Sequence, residues 1–127
     1  MTIDKNARYR SSHEWVRKDG NEMVVGISDH AQEALGDIVF VELPEVGKTI
    51  KQGETFGVIE SVKAASDMYM PVGGKITAVN DGLSGDPAAV NREPYAGGWM
   101  IRFAPSDPKE WDGLMDPVAY EAECGKE

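Results

Sequence analysis

The sequence lacks the residues that would form disulfides or a simple metal site. Cys124 is the only cysteine of 127 residues, so no internal disulfide is possible, and a free thiol fits a reducing compartment. The two histidines, His13 and His30, do not show the close spacing of a pair of metal ligands on one strand or helix. From the sequence we therefore expect no metal site. His13 is placed in the first strand, and Trp15 is interpreted as a buried core residue.

Positive charge and long apolar runs are also scarce. The chain has 22 acidic and 13 basic residues, a net charge of -9, which disfavours binding to a nucleic-acid backbone. An acidic surface could steer association with basic partner proteins, or it could serve solubility alone. No apolar run is long enough to span a membrane. The first residues lack the apolar block of a signal peptide, so we expect a cytoplasmic protein without membrane contact.

Motifs of enzyme active sites are missing as well. The sequence contains no glycine-rich phosphate loop, no cysteine near a histidine along the chain, and no GxSxG elbow. Carboxylates are abundant, but on an acidic chain their number alone says little about catalysis. These absences favour a carrier or a binding module over a catalyst.

Short β-strands separated by glycine turns dominate what is present. We expect a flexible arm over residues 1-8, followed by one domain over residues 9-127. A first strand is predicted from about Tyr9 to Arg17, and Asp19-Gly20 predicts a hairpin to the strand that follows. The overall prediction is a mainly β fold, a hybrid of barrel and sandwich, with a short early helix and two short C-terminal helices.

The helices are predicted from residues at their ends, where caps, prolines and glycines are typical. Residues 28-36 predict the early helix, with Asp29 as its cap in a capping box with Gln32, and Gly36 as its stop. Asp107 and Asp116 each precede a proline, a pattern typical of a helix start. The side chains predicted to be buried by these last helices are Trp111, Leu114, Val118 and Tyr120.

Two other stretches are predicted from their apolar patterns and turn residues. The strand from Ile38 to Leu43 is apolar on both faces, so it should be covered on both sides. After the loop at residues 81-87, a single helical turn is predicted over Pro87 to Val90. The final strand is predicted from Trp99 to Phe103.

The most informative stretch surrounds Lys63. A run rich in β-branched residues, Thr55 to Val62, ends at this lysine, and the small residues Ala64, Ala65 and Ser66 follow. Small neighbours would leave the amine open to another protein. We therefore predict a β-hairpin with Lys63 at its tip, although most surface lysines have no specific function.

Several strings of this sequence, taken together, are informative through their order and spacing. They are Ser12-His13-Glu14-Trp15, Gly26-Ile27-Ser28-Asp29-His30-Ala31-Gln32, Gly36-Asp37-Ile38-Val39-Phe40-Val41-Glu42-Leu43-Pro44, Glu60-Ser61-Val62-Lys63-Ala64-Ala65-Ser66-Asp67, Val79-Asn80 and Pro94-Tyr95-Ala96-Gly97-Gly98-Trp99. The string around Lys63 resembles the lipoyl-attachment turn of swinging-arm carrier domains in general, and its extension to Asp67 resembles the H protein of the glycine cleavage system in particular. The other strings resemble the same H-protein family, in matching order and over nearly the whole chain.

The resemblance implies that Lys63 carries lipoic acid in amide linkage as N6-lipoyllysine, and that the chain is not itself an enzyme. In this family the carrier takes the aminomethyl group of glycine from a pyridoxal-phosphate glycine decarboxylase, the P protein. It passes the group to a tetrahydrofolate-dependent aminomethyltransferase, the T protein, and dihydrolipoamide dehydrogenase, the L protein, reoxidises the dithiol. A lipoyl ligase or transferase attaches the arm, which keeps its dithiolane at roughly millimolar local concentration.

Five further residues receive roles from the resemblance. Ser12, Glu14 and Asp67 would line a cleft that protects the cationic load of the arm, since their side chains suit an ammonium partner. Each could equally be a strand-end cap or a solvated surface group. Glu60 and Ala64 would serve recognition by the lipoylating enzyme.

Four alternatives remain open from the sequence. The chain could be an H-like protein that donates lipoyl groups to other proteins, or a lipoyl domain of a 2-oxoacid dehydrogenase complex. The string from Pro94 to Trp99 and the C-terminal helices argue against the shorter dehydrogenase domains. The other two alternatives are a β-sandwich interaction module with an unmodified Lys63 and a small hydrolase, which lacks a recognisable nucleophile here.

Overall fold

Two antiparallel sheets form the framework of the molecule, as a computed structural model that describes residues 1–126 shows. The larger sheet has six strands in the order β1-β2-β3-β9-β8-β5, and the smaller has three in the order β4-β6-β7. The strands are Ala7–Tyr9 (β1), Glu14–Asp19 (β2), Glu22–Ile27 (β3), Ile38–Glu42 (β4), Thr49–Ile50 (β5), Thr55–Ser61 (β6), Ala65–Tyr69 (β7), Gly74–Val79 (β8) and Ile101–Pro105 (β9). The helices are Asp29–Leu35 (α1), Ala89–Arg92 (α2) and Pro117–Cys124 (α3), with 3-10 turns at Asp81–Ser84 and Pro108–Gly113.

The main core lies where the two sheets meet. Val25 and Phe103 of the large sheet and Ile59 and Met68 of the small one belong to one cluster of buried side chains. Burial of apolar surface on this scale is the main stabilising term of a small domain. The predicted mainly β class is therefore confirmed.

A second cluster packs α3 against the outer strands. Trp15 is fully buried in it, as predicted, and its indole N–H donates to the carbonyl of Pro94 at 2.9 Å. Tyr120 of α3 stacks on Tyr9 with ring centroids 4.1 Å apart. A Cβ at Gly26 would lie 2.8 Å from the Trp15 indole, so only glycine fits opposite this ring.

The N-terminal region differs from its prediction in two ways. The single strand predicted from Tyr9 to Arg17 is two strands, β1 and β2, because a tight turn ends at His13, whose φ is 79°. The expected boundary after residue 8 falls inside β1, where Ala7 is buried. Ahead of β1, the Thr2 amide donates to the Asp29 carboxylate at 2.7 Å, and Asp4 pairs with Arg17 at 2.6 Å.

The early helix is confirmed, but its cap is not the predicted one. The Ser28 hydroxyl accepts from the Ala31 amide at 3.1 Å and caps α1, while Asp29 lies in the first turn. The side-chain amide of Gln32 donates to the Asp29 carboxylate at 2.7 Å, so these two side chains pair as expected without forming the cap. The helix ends at Gly36 with φ 81°, a left-handed conformation that favours glycine.

The prediction that the strand from Ile38 onward is covered on both sides is wrong. Val39 and Phe40 are 53% and 50% exposed. β4 is the edge strand of the small sheet, and its register shifts between Ile38 and Phe40. An apolar run can thus lie at a sheet edge, because the pattern itself does not show whether another layer covers it.

The C-terminal helices start where predicted. The Asp107 carboxylate accepts from the Lys109 amide at 3.1 Å, and the Asp116 carboxylate accepts from the Ala119 amide at 2.8 Å. The first of the two is a 3-10 helix and the second is α3. Tyr120 is fully buried as predicted, but Val118 is 79% exposed, so the predicted buried face is wrong at that residue.

The connection between β8 and β9 contains more helix than predicted. A 3-10 turn covers Asp81–Ser84, and α2 covers Ala89–Arg92 rather than residues 87-90. The final strand begins at Ile101, not Trp99, because the Trp99 amide donates to Ala96 in a turn. Within residues 1–126, no helix has the length and apolar composition that a membrane crossing requires.

Candidate functional site

Lys63 lies at the tip of the hairpin formed by β6 and β7, as predicted. Glu60 pairs with Ala65 in the last register position of the two strands, and the Ser61 amide donates to the Ala64 carbonyl at 2.8 Å. Lys63 is exposed, and so are the small residues that follow it. Among the described residues, no carboxylate forms an ion pair with Lys63, so its amine is open to a modifying enzyme.

The Ser61 side chain organises this turn, which the sequence analysis did not anticipate. Its hydroxyl accepts from the Lys63 amide at 3.1 Å and from the Ala64 amide at 3.2 Å. The same hydroxyl lies 3.2 Å from the Ala64 carbonyl, to which it can donate. A serine at the start of a tight turn commonly binds backbone groups two or three residues ahead, so the signal was present in the sequence.

The turn is also attached to the segment that follows α1. The Val62 amide donates to the Asp37 carbonyl at 3.0 Å. A Cβ placed on Gly36 would lie 3.4 Å from Lys63 Cε, so the aliphatic part of the lysine lies against the end of α1. The lysine turn and α1 are thereby fixed relative to each other, although they are far apart in the sequence.

A cleft of about 180 Å³ lies between α1 and the β6–β7 hairpin. It brings together the three residues that the resemblance nominated for a protective cleft, Ser12, Glu14 and Asp67. Its remaining lining is mostly apolar, and these residues are His13, Ile27, Ala31, Ala34, Leu35, Ile59, Ser66 and Met68. An apolar cleft with a few polar groups suits an aliphatic chain that ends in a polar or charged group.

Glu14 is the one buried acidic side chain among the described residues, with 2% of its surface exposed. Its Oε1 accepts a short hydrogen bond from the Ser12 hydroxyl, and its Oε2 accepts from the Tyr69 amide at 2.9 Å. The Arg10 guanidinium donates to the Ser12 hydroxyl at 2.6 Å and extends this network. Every polar atom of the carboxylate therefore has a partner, which makes a buried charge tolerable.

Burial raises the pKa of the Glu14 carboxyl above its ordinary value, because the charged form loses its hydration. The hydrogen bonds from the Ser12 hydroxyl and the Tyr69 amide act in the opposite direction, since both stabilise the carboxylate, and so does the positive charge of Arg10. The carboxylate can therefore attract a cation inside the cleft, and it takes up a proton at a higher pH than an exposed glutamate does.

The other nominated residues differ in exposure. Ser12 is half-buried beside Glu14, whereas Asp67 is exposed on β7 at the mouth of the cleft. Glu60 and Ala64 are exposed on either side of the turn tip. The structure thus brings all five residues close to Lys63 or to the cleft beside it.

His13 and His30 form a pair that the sequence analysis missed. Their ring centroids lie 4.8 Å apart, and Nδ1 of His13 lies 2.8 Å from the Tyr120 hydroxyl. The two residues belong to different elements, the turn before β2 and helix α1. No spacing rule within one strand or helix could have revealed this proximity.

Comparison with known proteins agrees with this arrangement. The family model described as glycine cleavage H-protein matches residues 7–127. The H protein of Myxococcus xanthus is 54% identical over 120 residues, which cover 94% of this chain and 93% of that protein. The mitochondrial H protein of rice is 50% identical over 126 residues, which cover 99% of this chain and 77% of that protein.

A solved structure agrees as well. The crystal structure of a glycine cleavage system H protein from Mycobacterium marinum superposes with a TM-score of 0.89 at 37% sequence identity. The match covers 97% of this chain and 99% of that one, so the barrel-sandwich fold expected from the resemblance is confirmed. From the lysine-tipped hairpin, the adjoining cleft and these matches, it follows that the chain belongs to the glycine cleavage H-protein family.

Proposed function

We propose that Lys63 is the residue to which the lipoyl arm is attached. Membership of the family makes the chain the non-catalytic lipoyl carrier of the glycine cleavage system, working with the P, T and L proteins. That activity requires one lysine presented to several enzymes in turn. The observation that supports Lys63 is its exposed position at the tip of a hydrogen-bonded hairpin beside a cleft.

The cleft residues fit a lipoyl arm. The apolar side chains of Ile27, Leu35 and Met68 suit the hydrocarbon chain of the arm and its dithiolane. When bound, the dithiolane supplies the thiol chemistry that carries the aminomethyl group of glycine. The residues of this chain position the arm, exclude water from its load and present it to the partner enzymes.

Protection of the load is proposed for Ser12, Glu14 and Asp67. A cationic amine held in the cleft would gain from the buried Glu14 carboxylate, because charge interactions are stronger away from water. Ser12 keeps that carboxylate in place through its hydroxyl. Asp67, at the mouth of the cleft, adds a second negative charge that faces solvent.

Recognition by the lipoyl ligase or transferase is proposed for Glu60 and Ala64. Both flank the turn tip and are exposed, so an enzyme that binds the turn would contact them. A small side chain at position 64 leaves space beside the lysine. For the compartment we propose the cytoplasm, which agrees with a single cysteine and no possible internal disulfide.

The alternatives are less favoured. The relatives are named for the glycine cleavage system, and they match over nearly their full length, which neither a lipoyl relay nor a shorter dehydrogenase domain would explain. An unmodified interaction module and a small hydrolase do not agree with a family of lipoyl carriers.

Mass spectrometry of the intact chain tests the attachment site. Protein from lipoate-supplied cells should carry one lipoyl group, and Lys63→Arg should remove it completely. Lys48→Arg is the matched control, because Lys48 is also exposed but lies in the loop before β5. A lipoyl group that persists in Lys63→Arg would assign the arm to another lysine.

A further inference from the structure

Three side chains with metal-binding atoms converge beside the cleft. His13 lies in the turn before β2, His30 in α1 and Cys124 at the end of α3. One ring nitrogen of each histidine and the Cys124 sulfur lie within 4.8 Å of one another. Cys124 is buried and the histidines are half-buried, so the cluster is not a set of solvated surface groups.

The backbone and the neighbouring hydroxyls orient His13 toward this cluster. Its positive φ of 79° is unusual for a residue with a side chain, and such conformations cluster at functional sites. Its Nδ1 lies 2.8 Å from the Tyr120 hydroxyl, which in turn lies 2.6 Å from the Ser28 hydroxyl. Hydrogen bonds of this kind fix the ring plane of metal-ligating histidines.

The two imidazole rings are suitably arranged for a shared ion. Their planes are tilted by 36° and their centroids lie 4.8 Å apart. Ligand atoms around a tetrahedral zinc ion lie about 3.3–3.7 Å from one another, as the usual zinc–nitrogen and zinc–sulfur bond lengths require. Closing the cluster from 4.8 Å to that separation needs side-chain movements of about 1 Å.

We propose that His13, His30 and Cys124 bind one transition-metal ion of the class that prefers nitrogen and sulfur ligands, with Zn²⁺ as the reference ion. Imidazole and thiolate are the preferred ligands of Zn²⁺, and three protein ligands leave a fourth position for water. On binding, the Cys124 thiol releases its proton to solvent and its sulfur bonds the metal. No oxidation or reduction is involved.

Such an ion would connect the C-terminal helix to the cleft. His13 lines the cleft and precedes Glu14 in the sequence, whereas Cys124 lies in the last turn of α3. A bound ion would therefore fix α3 to the wall of the cleft beside the buried carboxylate. This role is separate from lipoyl attachment, because Lys63 is not among the ligands.

Metal titration of the full chain, reduced with a phosphine, tests the proposal. Zn²⁺ alone, in competition with a chromophoric chelator, should bind with one equivalent per chain. Co²⁺ alone should produce a sulfur-to-cobalt charge-transfer band in the near ultraviolet. Cys124→Ser should remove this band, and both Cys124→Ser and His30→Gln should weaken Zn²⁺ binding by at least about tenfold.

Glu121→Gln is the matched control, because Glu121 is an exposed acid on the same helix and should leave the affinity unchanged. A stoichiometry other than one, or equal affinities in the wild type and all variants, would assign Zn²⁺ to the acidic surface and overturn the proposal.

A second measurement, the alkylation rate of the thiol, needs no variant. Cys124 is the only thiol, so one equivalent of Zn²⁺ should slow its alkylation at least about tenfold, and an unchanged rate would also overturn the proposal.

Discussion

The turn that presents Lys63 and the cleft wall around Glu14 adjoin each other but are stabilised in different ways. The turn depends mainly on local hydrogen bonds, above all those of the Ser61 hydroxyl to backbone groups two and three residues away, with one bond from the Val62 amide to the Asp37 carbonyl. The cleft wall depends on a buried carboxylate whose partner, the Tyr69 amide, is 55 residues away. The first is an exposed local structure, and the second exists only in the folded domain.

This difference matches the two roles proposed above, presentation of Lys63 to enzymes and protection of the load on the arm. A lysine that must enter several enzymes has to be exposed, and a short hydrogen-bonded turn provides order there without burial. A cation that must be kept from water needs a desolvated acid, which only a packed core can supply. Substitutions at the turn should therefore affect carrier activity, whereas substitutions at the cleft wall should also affect stability.

The largest effect should come from Lys63→Arg, which separates activity from stability most sharply. Arginine keeps the positive charge but cannot form the lipoyl amide, so glycine–bicarbonate exchange with purified glycine decarboxylase should be abolished. The melting temperature should not change, because Lys63 is exposed. Lys48→Arg should retain both properties. Exchange retained by Lys63→Arg would show that the turn at Lys63 does not carry the activity.

Glu14→Ala should have the next largest effect, on stability and protection together. The substitution leaves the half-buried Tyr69 amide without its acceptor, which should cost about 1–3 kcal/mol of unfolding free energy in urea titrations. The aminomethyl load should also be lost faster from the arm. Glu45→Ala, an exposed acid outside the cleft, is the control. An unchanged rate of loss would remove Glu14 from the protective role.

Ser61→Ala should have a smaller effect that is confined to the turn. Loss of the hydroxyl should cost at most about 1 kcal/mol, because water can replace it at an exposed site. If that order is needed by the lipoylating enzyme, the rate of lipoylation should fall by about fivefold or less. Ser84→Ala is the exposed control. A loss of several kcal/mol would show that the turn is not the independent unit described above.

The remaining effect is a pH dependence that belongs to Glu14. Since burial raises its pKa in the folded state, the folded protein binds the Glu14 proton more tightly than the unfolded chain does. Wild-type stability relative to Glu14→Gln should therefore increase as pH falls through the raised pKa toward the ordinary carboxyl value. The slope should be at most about 1.4 kcal/mol per pH unit. Urea unfolding at several pH values measures it, and a constant difference would contradict the assigned shift.

Most predictions from the sequence that rest on local interactions are confirmed, although the cap of α1 is Ser28 rather than Asp29. The Lys63 hairpin follows from β-branched residues and a turn, and the caps Asp107 and Asp116 follow from residues within three positions. They failed where a distant element decides. The exposure of Val39 and Phe40 depends on whether another layer covers an edge strand, which no pattern within that strand records.

The candidate site divides in the same way. Resemblance nominated Ser12, Glu14 and Asp67 for one cleft, and the structure brings them to one cleft, although their roles stay a prediction. The proximity of His13, His30 and Cys124 was missed, because three separate elements supply them. Spacing rules detect pairs of ligands on one strand or helix, so they do not detect a cluster formed by three separate elements.

The sequence by itself predicted that Lys63 lies at the tip of an exposed turn, because such a turn is specified by the few residues that form it. It also determined the family, through strings spread along the chain. Only the tertiary structure decided that Glu14 is buried with its partners satisfied, that the end of α1 lies against Lys63, and that two histidines meet a thiol. The physical reason is that burial and long-range contact depend on how the sheets and helices pack, whereas a turn depends mainly on its own backbone and side chains.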